Sequence, residues 1–236
     1  VKAVLLAAGL GTRLRPLTDH TPKCLVEVGG TTLLDRWLDT LADGGVDEVL
    51  VNVHHLADQV VSHVARRGDR PRVRIVHEPV LLGSAGTLRA NHDFVDGEEM
   101  FLAVNADNLT DFDVQRLVKA HREGGAPATV TAFHADDPTR CGVLEVRDGV
   151  LVGFQEKPQR PRGHLANAGI YAFHPDVLGL VEGPTPRDLG HHLLPRLVGR
   201  ARVVDLGEAY LRDIGSPEAL ERARVEWADW EGGHRA

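Results

Sequence analysis

Leu6-Ala7-Ala8-Gly9-Leu10-Gly11-Thr12-Arg13-Leu14-Arg15-Pro16-Leu17, closed by Thr21-Pro22-Lys23, decides how the rest of the chain is read. It follows Val4-Leu5-Leu6, an apolar stretch that reads as the buried first strand of an α/β fold. A glycine turn after such a strand points backbone N–H groups at an anion with no side chain in the way. Arg13 brings a planar two-pronged donor and Lys23 a point charge, with Pro22 fixing the backbone before it. Backbone donors and two cations together suit a polyphosphate, so the string predicts a nucleoside triphosphate site.

Rival motifs fail. A dinucleotide fingerprint needs a third glycine where Leu14 stands, and no G-x-x-x-x-G-K-[ST] occurs anywhere. A glycine turn with two solvated cations is the plainer alternative for a bare Gly-x-Gly. The longer string, with Thr12, Arg13, Pro22 and Lys23 in order, is much harder to produce by accident.

At 236 residues, with 42% hydrophobic and 26% charged residues, the chain reads as one soluble α/β domain spanning 1–236. No apolar stretch approaches the ~20 residues of a membrane span, and Val1-Lys2 enters the first strand with no signal-peptide pattern. Cys24 and Cys141 are isolated, which predicts neither disulfide framework nor zinc site and fits a reducing cytoplasm. A formal charge of −7 argues against a nucleic-acid partner. It also means that a polyphosphate needs locally concentrated cations and a divalent ion, which directs the search to carboxylates.

Apolar β-branched runs alternate with helix-period segments. Helices are expected over Leu33–Ala42, Ala57–Arg67, Thr87–Asp93, Val114–Arg122 and Asp188–Val198, and from Pro217 towards Trp230 with Ser216 as N-cap. Strands are expected over Val49–Val53, Val73–His77, Met100–Val104, Ala128–Phe133, Ile170–Phe173 and Arg202–Asp205, with a β-hairpin at Val143–Phe154 turning on Asp148-Gly149. The pattern is a Rossmann-like three-layer α/β fold with a mainly parallel mixed sheet and an inserted β-hairpin region. Residues 1–110 form the nucleotide half and 111–236 serve a second substrate.

Asp107 follows the strong strand Met100–Val104, at the edge where open α/β sheets bind ligands. On position alone it is equally a Mg²⁺ ligand or a turn aspartate. Asp213 alone looks like a loop residue. Gly83-Ser84-Ala85-Gly86 is a second glycine loop, able to lie against a base or only to turn the chain. Glu156-Lys157 offers acceptors for sugar hydroxyls and a cation for a phosphate, or else an exposed strand end. The adjacent pairs His54-His55 and His191-His192 lack metal spacing and read as structural.

The opening string resembles L-A-[AG]-G-x-G-T-R-L-x-P-L-T followed by P-K-x-L, the signature of the sugar-1-phosphate nucleotidyltransferases. Leu82–Thr87, Asn105–Asp107, Gly142-Val143, Glu156–Pro158, Asn167–Gly169 and Asp213–Glu218 match the same family in order. The resemblance implies a GT-A-like nucleotidyltransferase fold and a reaction between a nucleoside triphosphate and a sugar 1-phosphate that releases pyrophosphate. It implies Arg13 and Lys23 as catalytic residues and Asp107 with Asp213 as Mg²⁺ ligands. Leu6, Ala7, Ala8, Gly9, Gly11, Thr12 and Gly83–Gly86 would line the nucleotide, and Gly142, Glu156, Lys157 and Asn167 the sugar phosphate. The L-G-[ST]-A-G form of the second loop recurs in members that handle guanine nucleotides, though not only there. GTP with a mannose- or heptose-type 1-phosphate is therefore expected, with uridylyl or thymidylyl transfer as the alternative. Cys141 stands where relatives often carry an aromatic. The chain is expected to stop before any appended β-helix module. A silent nucleotide-sugar sensor remains open, as does a homo-oligomer, while a metal-dependent glycosyltransferase would want a D-x-D motif that Asp107-Asn108-Leu109 does not supply.

Overall fold

The computed structural model describes residues 1–68 and 70–234, with side chains described to residue 230. Asp69, inside the basic run Arg66–Arg70, lies outside the described residues. The first half carries β1 (Lys2–Leu6), the short pair β2 (Glu27–Val28) and β3 (Thr31–Thr32), α1 (Leu33–Asp43), β4 (Glu48–Val53), α2 (Ala57–Ala65) and β5 (Arg72–His77). There follow α3 (Ser84–Ala90), α4 (His92–Val95), β6 (Phe101–Asn105) and β7 (Asn108–Thr110). The second half carries α5 (Val114–Gly124), β8 (Ala128–His134), β9 (Gly142–Arg147), β10 (Val150–Glu156), β11 (Leu165–Phe173), β12 (Ala201–Asp205), β13 (Leu211–Asp213) and α6 (Pro217–His234).

Nine strands form one sheet in the order β5-β4-β1-β6-β11-β8-β12-β10-β9. The expected parallel arrangement holds through β5-β4-β1-β6. Beyond β6 the pairing turns antiparallel at β11, returns to parallel only between β8 and β12, and closes with the β9–β10 hairpin. That hairpin turns on Asp148 and Gly149, both at positive φ (52° and 71°), which a two-residue turn of this hand requires.

Alternation along the central strands divides the core. Ala3, Leu5, Leu102 and Val104 pack with α1, α2 and α5 on one face; Val4, Leu50, Phe101 and Ala103 pack with α3, α4 and the 177–197 segment on the other. A third cluster gathers Leu14, Val28, Leu109, Ile214, Ala223 and Trp227 beneath α6. It seats the turn after Gly11 against β7 and β13. Thr32 caps α1 by accepting from Asp35 N at 3.0 Å, and Asp113 caps α5 by accepting from Gln115 N at 2.8 Å. Ser216 caps α6 as the sequence leads one to expect, accepting from Ala219 N at 3.2 Å.

Two helices differ from expectation. The helix read over Asp188–Val198 is a π turn at Leu189–Leu193 followed by a 3₁₀ turn at Leu194–Leu197. Pro195 brings no N–H to a regular ladder there, and Gly190 presses its backbone against Glu156. The helix read from Thr87 begins instead at Ser84 and breaks at Asn91, so the second glycine segment is mostly the first turn of α3. Among the described residues no helix is long and apolar enough to cross a membrane.

Candidate active site

A cavity of about 330 Å³ opens at the carboxyl ends of β1, β4, β5 and β6. Its wall includes Leu6, Ala7, Ala8 and Gly9 after β1, Asp107 after β6, and Gly83 and Ser84 at the head of α3. Gly9 is exposed with nothing near its missing side chain, whereas Gly11 sits at φ 62° with Thr18 packed where a Cβ would stand. Thr18 donates to the Gly11 carbonyl at 2.7 Å and closes the loop. Neither Gly11 nor Thr12 is among the residues that line this cavity. Ala85 and Gly86 correct the expectation for the second loop. Both are buried, and their N–H groups already donate to the Arg187 carbonyl at 2.8 and 3.0 Å. They hold the 183–190 segment and are not among the residues that line this cavity.

The predicted charged residues converge. Lys23 Nζ donates to Asp107 Oδ2 and Asp213 Oδ1, each at 2.9 Å, and Arg13 Nη2 lies 3.6 Å from Asp213 Oδ2. Antiparallel pairing of β13 with β7 sets Asp213 opposite Asn108, and thereby beside Asp107. Trp37 supports this pair by donating to the Asn108 carbonyl at 2.9 Å. Gly215 leaves space that a Cβ would take from Arg13 and Asp213. Burial works against the Lys23 ammonium, but the two carboxylates outweigh it and the pKa lies above the ordinary lysine value. Both carboxylates are about half exposed (43% and 48%), so each keeps surface open to solvent beside Lys23. Two hard oxygen donors fit Mg²⁺, which takes one or two protein carboxylates and fills its shell with water and phosphate oxygens. Among the described residues no set of three or more metal-binding side chains gathers. Cys24, also on the wall, has a thiol pushed up to about 12 by burial and is chemically quiet.

The sugar-phosphate candidates form a second cluster. Gly142 and Glu156 are cross-strand partners in the β9–β10 hairpin. The Glu156 carboxylate lies between two glycine backbones: a Cβ on Gly142 would be 3.0 Å from its Oε2, and one on Gly190 only 2.2 Å. Lys157 follows at φ 44°, a conformation uncommon outside glycine, with its ammonium 3.7 Å from Glu156. Asn167 sits at an irregularity in β11, donating to the Tyr171 hydroxyl at 2.6 Å and accepting from Gly169 N at 3.0 Å. Asp188 lines the cavity at the ends of β1, β4, β5 and β6 while Gly190, two residues on, lies against Glu156, so the two clusters adjoin. The Cys141 thiol is raised by burial first and then by Asp137 and Asp213.

Among the polar residues of the wall, Asn52, Glu78 and Asp188 escaped the sequence reading, while Thr87 and Asn105 lie in motifs it quoted without giving them a role. Glu78 and Asn52 are 2% and 4% exposed and hydrogen-bonded to each other at 2.9 Å. A carboxylate one residue beyond the strand at Val73–His77, the same edge that marked Asp107, was the available signal for Glu78. Of the histidine pairs, His54 Nδ1 bonds the Glu78 carbonyl at 2.6 Å and His55 Nε2 the Thr18 carbonyl at 2.9 Å.

The sequence model of the nucleotidyl transferase family matches residues 2–229. The chain is 34% identical over 223 residues to the mannose-1-phosphate guanylyltransferase catalytic subunit beta of Drosophila pseudoobscura pseudoobscura, covering 92% of this chain and 60% of that protein. It is 34% identical over 246 residues to a UTP–glucose-1-phosphate uridylyltransferase of Synechocystis sp., covering 97% of this chain and 60% of that one. The chain thus spans about three fifths of the length of these curated relatives. Among solved structures, a Bacillus anthracis protein with the provisional name glucose-1-phosphate thymidylyltransferase, crystallised with sucrose, superposes with a TM-score of 0.84 at 24% identity, covering 95% of this chain and 94% of that one. That likeness establishes the fold. With the family model matched almost end to end, the chain belongs to the nucleotidyl transferase family.

Proposed function

We propose that this chain transfers a nucleotidyl group from a nucleoside triphosphate to a sugar 1-phosphate. A sugar-phosphate oxygen attacks the α-phosphorus, the bond from that phosphorus to the bridging oxygen of the β-phosphate breaks, and pyrophosphate leaves. The observation that carries this reading is Lys23 held between Asp107 and Asp213 at the mouth of the cavity, with Arg13 beside them. No general base is needed, because a phosphate monoester is largely dianionic at neutral pH. Positioning and charge neutralisation can supply the rate. Arg13 stabilises charge that develops on the triphosphate, and Lys23 neutralises the reacting phosphates. Asp107 and Asp213 would hold Mg²⁺, which offsets phosphate charge when bound. Glu156 accepts from sugar hydroxyls and Lys157 meets the sugar phosphate.

Guanine is the favoured base. Glu78 is a buried acceptor on the cavity wall, with three donors already placed around it: Asn52 and Thr87 on Oε1, and Leu82 N on Oε2. The remaining lone pair accepts from one more donor. Guanine offers adjacent N1–H and N2–H groups, while uracil and thymine offer one N–H flanked by carbonyl oxygens that a carboxylate repels. The Drosophila relative's name supports GTP with a mannose-type 1-phosphate, and a heptose-type 1-phosphate remains within this reading. The Synechocystis relative's name supports uridylyl transfer as the second reading.

The test is a panel of triphosphates against sugar 1-phosphates, scored by pyrophosphate release with and without Mg²⁺. Release should require Mg²⁺ and both substrates, fastest with GTP, and be slow without a sugar phosphate because water lacks its binding energy. Equal release with and without every sugar 1-phosphate would indicate a hydrolase.

A further inference from the structure

The nucleotide cavity is tied together from beneath by one amide. Asn52 lies on β4 opposite Leu6 of β1, and its side chain is almost wholly buried. Its Oδ1 accepts from Ala7 N at 2.7 Å, in the segment that lines the cavity after β1. A backbone N–H can only donate, so this contact fixes the amide the other way round at its far end. There Nδ2 donates to Glu78 Oε1 at 2.9 Å and reaches Thr87 Oγ1 at 3.1 Å. Thr87 in turn donates to the same Glu78 oxygen at 2.5 Å. The Glu78 backbone is held by the same strand, its N–H donating to the Val53 carbonyl at 2.9 Å.

Three elements that meet the nucleotide in different places are thus joined through one side chain: the phosphate segment, the carboxylate at the end of β5, and α3. We infer that Asn52 is a positioning residue that sets base selectivity by orienting Glu78 relative to the phosphate segment. With Oε1 committed to Asn52 and Thr87, the open lone pair of Oε2 points one way only. Loosening that commitment lets the carboxylate turn and accept from other edges. Phosphate recognition survives, because Ala7 still meets an acceptor wherever position 52 keeps one. The assignment rests on the nucleotide reading above, and its test separates the two.

The substitution that isolates the Glu78 arm is Asn52→Asp, which keeps an acceptor for Ala7 but turns the donor facing Glu78 into a second acceptor. GTP and UTP binding to the full chain is measured by calorimetry without sugar phosphate, and sugar 1-phosphate KM by pyrophosphate release. The GTP-to-UTP affinity ratio should fall by about tenfold, the scale of leaving a buried acceptor unmatched, with sugar 1-phosphate KM within about twofold of wild type. Asn52→Asp combined with Glu78→Gln restores a donor–acceptor pair of reversed sense. That double variant should regain thermal stability without regaining the GTP preference. Asn52→Ser, too short to span Ala7 and Glu78, serves if Asn52→Asp does not fold, and should lower the ratio likewise. Equal loss of GTP and UTP affinity, or an unchanged ratio in a folded variant, overturns the assignment. A wild type that favours UTP, with the variant shifting the ratio, supports the role of Asn52 and overturns the guanine preference. A wild type that binds neither triphosphate overturns both.

Discussion

Lys23 donates to two carboxylates that are 84 and 190 positions away in sequence. This ammonium, with Arg13 beside Asp213, offsets the repulsion between two half-exposed aspartates that the β13–β7 pairing sets side by side. If the two also share Mg²⁺ in turnover, Asp107→Asn and Asp213→Asn should each remove most activity, and the double variant should be little worse than either. Turnover across a Mg²⁺ titration, with circular dichroism for folding, checks this; losses that multiply without changed metal dependence would separate the two residues. Arg13 makes its point by shape. Arg13→Lys keeps the charge and loses the planar fork, so turnover should fall by ~10²-fold or more with the fold intact. Turnover near wild type would reduce Arg13 to a surface cation. Arg13 and Lys23 were legible from the charged string that follows the glycine turn, whereas Asp107 was equally a turn aspartate on position alone and Asp213 entered only through the family resemblance. Asn52 and Glu78 were not legible, because a polar residue at a strand end reads equally as a turn or as solvent-facing until burial is known.

The π turn at Leu189–Leu193 carries more of the site than its length suggests. It brings Gly190 against Glu156 and Asp188 into the cavity, and Leu189 N donates to Ser84 Oγ at 2.8 Å, binding the second half to the first turn of α3. Gly190→Ala would place a Cβ 2.2 Å from Glu156 Oε2, so the carboxylate must move. Sugar 1-phosphate KM should rise about tenfold or more, the scale of misplacing a contact by part of an ångström. The triphosphate KM should stay near wild type; steady-state kinetics with each substrate varied in turn decides it, and a rise in both would mean the turn supports the whole cleft. Periodicity found a helix at 188–198 and missed this geometry. Leucine spacing there fits a helix, while the close approach that forces the wide turn comes from a hairpin some thirty residues earlier in the chain. The short strands β2, β3 and β7 were missed likewise, since two or three residues carry no period, whereas β13 overlaps the strand-like run Ala209–Arg212 that precedes Asp213.

One sheet runs through both halves, joined where β11 pairs antiparallel with β6. The core clusters on either face draw from residues on both sides of that seam. The halves should therefore unfold together: Trp37 fluorescence, in a Trp227→Phe/Trp230→Phe background, and far-UV circular dichroism should share one urea midpoint. Separate midpoints would mean two units. Element alternation, the glycine turn after β1 and the hairpin turn are written in the sequence and observed in the fold. Each of these is encoded within a few neighbouring positions: apolar period, positive-φ glycine or side-chain chemistry. What folding adds is Asp213 set beside Asp107 through β13 and β7, Ala85 and Gly86 tied to Arg187, Asn52 and Glu78 on the cavity wall, and Gly190 against Glu156. Those outcomes depend on strand pairing and close packing between distant segments, for which no local pattern is required.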